Sequence, residues 1–415
     1  MAPALASSTS QISHFSPAEL SYLHTSLSYP HNPIRPDGRS ATQFRPLAAE
    51  SDILPNTNGS ARIGFADGTQ AIVGVKAEVE RTVKMGVLGA SQEADAGEGL
   101  DEDDLGEEDA EKGGRKKKWG AGQSSWVEMS IEIPGLRDDD ALPVFLAEMM
   151  REALVGSGSS GGWNDTGMEG GLKGRLVINQ GWHWRIYIDV SVLEDRPGFV
   201  FADDIQILLL SPPLSYPLPL LSLTTHLALL STKLPKLISK DEEDPMFDDD
   251  WAAAEYLYPR VAPSPKSIVP QRQPFRPPVT LLVISVGENI IFDPSGEEIA
   301  VADAVFCVSI GRDEETSNDT QDMDSSNLRL LAIRTIDPPS RLTNSGLSNS
   351  ENALSIGLGE EVSGQLASGD STQGVWKPRL GGVKRSVISR IVKLVLQKGG
   401  VGDEVMQGLE GVDVG

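Results

Sequence analysis

The feature that most restricts the fold is a period-two hydrophobic alternation running through a tight turn. Residues 61–65 read as a strand, Asp67-Gly68 supplies the turn, and in 70–80 Val73, Val75, Ala77 and Val79 share one face while Lys76, Glu78 and Glu80 take the other. Successive side chains of a strand point to opposite faces, so the pattern predicts an antiparallel hairpin with one core face and one wet or covered face. The rhythm returns at 126–133, where Val127, Met129, Ile131 and Ile133 alternate with Glu128, Ser130 and Glu132. It is clearest at 182–193, where Trp182, Trp184, Ile186, Ile188, Val190 and Val192 oppose His183, Arg185, Tyr187 and Asp189. A second series of strands is predicted near 279–286, 290–293, 303–310 and 328–336.

Helices punctuate these strands. Ser16-Pro17-Ala18-Glu19 combines a capping serine, a proline at the first helical position and a glutamate three residues after the cap, which starts a helix over 17–28. An amphipathic helix is expected at 142–155 and a last one at 383–397, with Val383, Val387, Ile391, Leu394 and Val395 on one stripe. Its Lys384, Arg385, Arg390 and Lys393 form a solvated face or, alternatively, one turned to RNA. The region 202–234 should be helical, but the prolines of 211–220 would break a continuous helix, so either a loop splits it or the stretch is an oddity of the gene model.

The result is an α+β chain in two halves. The predicted organisation is an irregular start at 1–15, a first half at 16–240, an acidic and proline-rich linker at 241–278, a second half at 279–398 and a flexible end at 399–415. Disordered inserts are expected at about 88–120, 312–327 and 337–375, because their Asp, Glu, Gly and Ser cannot bury enough apolar surface to offset chain entropy. The first insert ends in Arg115-Lys116-Lys117-Lys118, read as a solvated loop, with an RNA or nuclear-import contact as the alternative.

Charge and cysteine content narrow the function classes. With 36 Lys+Arg against 60 Asp+Glu, the net charge of -24 argues against a stand-alone nucleic-acid binder. The single cysteine, Cys307, excludes an internal disulfide framework and fits a reducing compartment; among Val305, Phe306 and Val308 it reads as a small core residue. Residues 1–11 lack the basic start and apolar run of a secretory signal, and four prolines interrupt the apolar stretch 205–230, so no membrane span is expected. His183 has no second histidine near it in sequence and is read as a strand-surface residue rather than a base or metal ligand.

Four short motifs carry more information than composition. Ile34-Arg35-Pro36-Asp37-Gly38-Arg39, Phe44-Arg45-Pro46, Asn58-Gly59-Ser60-Ala61-Arg62 and Asp67-Gly68-Thr69 follow one another at set spacing. Pro-Asp-Gly fixes a turn, Gly59-Ser60 permits close backbone approach and Asp-Gly closes the hairpin. In this order they resemble the start of the RNase PH superfamily. Ser21-Tyr22-Leu23, Val75-Lys76-Ala77-Glu78-Val79, the strand 184–193, Leu234-Pro235-Lys236 and Asp293-Pro294-Ser295-Gly296-Glu297-Glu298 extend the resemblance, toward its exosome ring subunits, over about 17–336.

The resemblance implies an RNase PH-like (ribosomal protein S5 domain 2-like) fold with two related β/α halves, six of which close into a ring around a channel for single-stranded RNA. It implies other RNase PH-like ring subunits in a hetero-hexamer and S1/KH-type cap subunits as partners, no membrane, and residence in nucleus, nucleolus and cytoplasm. Active members phosphorolyse RNA from the 3′ end, which needs arginines for phosphate and carboxylates for a divalent ion. Here 85–111 contains no Lys or Arg, and the helix 142–155 carries only Arg151 beside Glu148 and Glu152. The carboxylates matching the family's pair of aspartates are Glu297 and Asp303, whose spacing is kept but whose reach differs by one methylene. The residues themselves also allow Asp293 and Asp303 to be turn caps at strand ends. The expectation is therefore a non-catalytic subunit with no cofactor and no metal, and with Arg62 as candidate RNA contact, or else an ordinary strand-surface arginine. The enzymatic alternative is a phosphate-dependent 3′–5′ exoribonuclease; a third reading is an RNA-binding adaptor driven by charged tails.

Overall fold

The computed structural model describes residues 16–30, 32–82, 122–134, 136–137, 139–156, 171–189, 207–209, 216–239, 244–260, 276–312, 328–336 and 383–412. Helix α1 (Pro17–Leu27) begins with the expected capping box, in which the Glu19 N–H donates to Ser16 Oγ at 3.3 Å and the Ser16 N–H donates to the Glu19 carboxylate at 2.7 Å.

The first sheet holds β1 (Leu47–Ser51), β2 (Gly59–Phe65), β3 (Gln70–Arg81), β4 (Val127–Met129), β5 (Ile131–Glu132), β6 (Trp182–Asp189) and β7 (Ile207–Leu209). Its order is β1-β2-β3-β6-β4, with β7 also beside β3 and β5 beside β7. The β2–β3 hairpin turns at Asp67-Gly68 as expected: Gly68 takes φ 89°, and Asp67 accepts the Thr69 N–H at 2.9 Å. Helices α2 (Ala141–Val155) and α3 (Gly171–Arg175) pack together, α2 also lying on β4 and β5.

Helix α4 (Leu218–Ser231) is buried at all fourteen positions, because it lies between β2 and β3 on one side and the second sheet's strand Val279–Val286 on the other. A helix enclosed on all sides is expected to be apolar all round, and nine of its fourteen residues are Leu, Pro or Ala, with Ser222, Thr224, Thr225, His226 and Ser231 as buried polar exceptions. Pro217 and Pro219 stand at its N-cap and first turn, where a missing N–H breaks no helical bond. The expected helical region 202–234 is thus strand β7 followed by helix α4, and 210–215 lies outside the described residues.

After β8 (Lys233–Leu234) and β9 (Glu255–Tyr256), which form a small ribbon, the second sheet is antiparallel. Its order is β11-β10-β12-β13, from β10 (Val279–Val286), β11 (Asn289–Phe292), β12 (Ala304–Arg312) and β13 (Leu328–Thr335), with α5 (Gly296–Ala300) between β11 and β12. Helices α6 (Arg385–Leu396) and α7 (Val401–Glu410) pack on each other, and α6 on β13. The α+β class and the two sheet-bearing halves are as expected.

Two boundaries need correction. The end 399–415, expected to be flexible, contains α7, whose Val401, Met406 and Leu409 are buried and whose Glu410 is clasped by Arg312 at 2.6 Å. Apolar residues at 401, 405, 406 and 409 have helical spacing, which the neighbouring glycines obscure in the sequence. The linker expected at 241–278 is structured over 244–260: Leu237 bridges to Phe247, β9 pairs with β8, and Leu257 and Tyr258 are buried. The strand expected over 182–193 is described to Asp189, and the inserts 88–120 and 337–375, with the basic run 115–118, lie outside the described residues.

Candidate functional site

The motifs that carried the resemblance meet in pairs. The turn at 35–39, with Gly38 at φ 76°, aims Arg35 and Arg39 at the turn that follows β11. Arg35 is fully enclosed: Nε and Nη2 reach the Glu298 carboxylate at 2.7 and 2.8 Å, and the remaining donors reach the carbonyls of Ser40, Gln43, Phe292 and Asp293. Arg39 donates to Asp293 Oδ2 at 2.9 Å and to Asp37 at 2.5 Å. Arg45 donates to both Asp293 oxygens and to Asp67 at 2.7 Å, with its guanidinium 4.4 Å above the Phe65 ring. Asp293, with φ 47° and no exposure, also accepts the Arg45 backbone N–H at 2.9 Å. This buried ionic junction joins the N-terminal segment to the second half, and it goes well beyond the turn-capping role open to Asp293 in the sequence.

The second junction closes around Gly59. A Cβ there would lie 2.5 Å from the backbone of Thr232, so only glycine admits the end of α4. Ser60 N–H donates to Ser231 Oγ at 3.0 Å. Asn58 donates from Nδ2 to the Lys233 carbonyl at 3.0 Å and accepts the Ala77 N–H at 2.9 Å, tying β3 to β8. The close approach expected at Gly59-Ser60 is therefore an approach to a helix terminus.

A cleft of about 480 Å³ opens between β4 and α2, lined by Val127, Met129, Ile131, Pro143 and Val144 with Glu128, Glu148 and Arg151. Arg151, the arginine of α2 that the resemblance would offer to phosphate, stands on its wall. Arg151 instead gives Nε and Nη2 to Glu148 at 2.9 and 2.7 Å and Nη1 to the Ser124 carbonyl at 3.0 Å. The Arg151 bond holds the Glu148 carboxyl below the usual range, and the same bond raises Arg151. Glu152, the other acidic neighbour, pairs with Arg334 of β13. Three of the five N–H donors of Arg151 are thus committed to carboxylate and carbonyl oxygens, and its charge is paired with Glu148, which lowers its capacity for phosphate.

Of the remaining sequence candidates, Asp303 and Arg62 have local partners. Asp303 Oδ2 accepts the Gly287 N–H at 2.7 Å, bracing the β10–β11 turn, and Glu297 is exposed on the first turn of α5. Among the described residues no group of three His, Cys, Asp or Glu side chains could hold a metal ion. Arg62 is 41% exposed on β2, donating to Gln70 Oε1 at 2.6 Å and lying 4.0 Å from Glu50.

His183 is a correction: it is buried at 4% exposure, stacked on Trp126 with centroids 4.1 Å apart, and bonded to Thr82 at 3.0 Å. Alternation assigns a side chain to a face without saying whether that face is covered, and Trp126 covers this one. Burial pulls the imidazole down, partly countered by Glu80. Cys307 lies against Met149 in the core, and burial pushes its thiol up to about 11, which removes thiolate chemistry at neutral pH. No helix among the described residues is long and apolar enough to cross a membrane.

No protein-family profile matches the chain. It is 27% identical to exosome complex component RRP42 of Saccharomyces cerevisiae over 305 residues, which is 72% of this chain and 83% of that protein. It is 28% identical to exosome complex component rrp42 of Schizosaccharomyces pombe over 293 residues, 70% of this chain and 77% of that protein. Among solved structures, one of the Archaeoglobus fulgidus exosome with RNA bound to the active site aligns with 81% of this chain and 91% of its own at 16% identity and a TM-score of 0.41. The chain, whose motifs build both junctions, is thus similar to RRP42 components of the exosome over most of its length.

Proposed function

We propose that this chain is a non-catalytic RNase PH-like ring subunit of the eukaryotic RNA exosome. In this role it scaffolds a hexameric core with other RNase PH-like subunits, receives S1/KH-type caps, and helps shape the channel that admits single-stranded RNA for 3′–5′ processing and decay, including ribosomal RNA maturation. The observation that carries the non-catalytic reading is the commitment of Arg35, Arg39, Arg45 and Arg151 to carboxylates of the same chain. Glu297 and Asp303 stand as degenerate carboxylate positions, and Arg62, half exposed on β2, is the proposed RNA contact.

Exposed apolar residues support assembly. Ile238, Met246 and Trp251, in the segment between β8 and β9, are 57%, 65% and 50% exposed, and Tyr22 on α1 is 73% exposed. Ile238 and Met246 are neighbours, the Ile238 N–H donating to the Met246 carbonyl at 2.8 Å, and exposed apolar groups brought side by side suit a surface completed by partners. Residence in nucleus, nucleolus and cytoplasm follows from the assignment and is checked by imaging the tagged chain.

The test is affinity purification of the tagged chain from its own cells, followed by an RNA decay assay with phosphate and Mg²⁺. Recovery with RNase PH-like subunits, and no phosphorolysis attributable to this subunit, is expected. A soluble monomer without such partners would sink the ring assignment; phosphate-dependent shortening of RNA by the purified chain would instead establish the exoribonuclease reading.

A further inference from the structure

Helix α6 departs from the charge pattern of the rest of the chain. Although Asp and Glu outnumber Lys and Arg by 60 to 36, α6 contains no acidic residue, and its N-cap Lys384 stands exposed together with Arg385, Arg390 and Lys393. Elsewhere the chain pairs such cations with its own carboxylates, Arg151 with Glu148, Arg312 with Glu410 and Arg334 with Glu152. On α6 Arg390 is paired, with Glu288 at 3.3 Å, while Lys384, Arg385 and Lys393 meet no carboxylate among the described residues.

Stability does not account for this arrangement. A helix macrodipole is positive at its N-terminus, where a cation is repelled and an acid is favoured. Lys384 and Arg385 stand at that end, the first turn holds no acidic residue, and the Lys384 side chain makes no capping bond. Packing is supplied by the opposite face: Ile391 and Val395 are buried, and α6 lies on β13 and α7.

The exposed positions also say what would bind. Arg385, Ser389 and Lys393 follow one another at intervals of four residues, about 6 Å along the axis, with Ser386 and Arg390 beside them. Each of these side chains is a hydrogen-bond donor. α6 exposes no large apolar side chain and contains no aromatic one. A protein interface is built round apolar or aromatic anchors, whereas phosphate and sugar oxygens are held by Arg, Lys and Ser.

We infer that the outer face of α6 holds the sugar–phosphate backbone of single-stranded RNA through Arg385, Lys393 and the flanking Lys384. With no aromatic side chain to stack on a base, the contact is indifferent to sequence. The inference rests on the proposal above only in taking RNA as what the chain handles, and it adds to Arg62 a second contact on the other half of the molecule.

The full-length chain is compared with a variant carrying Lys384→Gln, Arg385→Gln and Lys393→Gln, by fluorescence anisotropy with labelled oligouridine at low salt. The wild-type chain should bind weakly; the variant should lose about tenfold in affinity, and its slope of log K against log salt should be shallower by about 2, each phosphate contact contributing about 0.7. Its Tm should be unchanged or higher, because the clash with the helix dipole is relieved. A charge-preserving variant, Arg385→Lys with Lys384→Arg and Lys393→Arg, should bind as the wild type does. Equal binding by the glutamine variant, or none by the wild-type chain, overturns the inference. Polyglutamate bound by this face more tightly than oligouridine overturns it too, and assigns the face to an acidic protein. None of these readings depends on which subunits co-purify, so a failed ring assignment and a failed α6 contact are told apart.

Discussion

Asp293 shows how much a single side chain can hold in place. Its carboxylate faces Arg39 and Arg45 with no access to water, so removing its charge leaves two guanidinium groups short of a counter-ion in a medium that solvates them poorly. Asp293→Asn is expected to lower stability by about 3–5 kcal/mol in urea unfolding, with asparagine chosen because it tolerates the positive φ. At Arg35 and Glu298, replacement of both by apolar residues of similar volume should restore most of what either single replacement loses. His226 supplies a pH dependence: burial, with Arg276 beside it, pulls it from 6.5 to about 3. The unfolded chain therefore takes up a proton near pH 6.5 that the folded chain refuses, and stability falls as pH drops below that value, by at most about 1.4 kcal/mol per pH unit. His183, also pulled down by burial, acts in the same direction. Between pH 7 and 5, before most carboxylates titrate, His226→Leu should flatten the curve of urea midpoint against pH; an unchanged slope would contradict this account.

Among the elements, α7 and the junction at Gly59 allow the sharpest measurements. If α7 is a packed helix, Leu409→Ala costs about 2–5 kcal/mol; in a flexible tail it would cost nothing measurable. Gly59→Ala forces a methyl group into the backbone of Thr232, and a loss of at least about 1–3 kcal/mol is expected by thermal or urea unfolding. These elements also show what could be read in advance. The capping box at Ser16, the Asp67-Gly68 hairpin and the strands of the second sheet were legible because each is specified by residues within a few positions of one another. Arg35 with Glu298 and Gly59 with Thr232 were not, since pairing across so many residues leaves no local pattern.

At the scale of the molecule, net charge decides how RNA can be approached. A chain at -24 repels a polyanion, so the isolated protein should bind single-stranded RNA weakly even at low salt, and the ring proposed above is expected to bind it more tightly. Fluorescence anisotropy with labelled RNA, titrated with salt, measures this; tight, salt-sensitive binding by the lone chain would point to the adaptor reading instead. The ion pair between Arg35 and Glu298, separated by 263 positions, has a consequence for synthesis. At roughly 5–20 residues per second, the ribosome delivers Glu298 about thirteen to fifty seconds after Arg35. For that interval the basic N-terminal segment lacks the acidic turn that will enclose it, and the nascent chain must be kept from pairing it elsewhere.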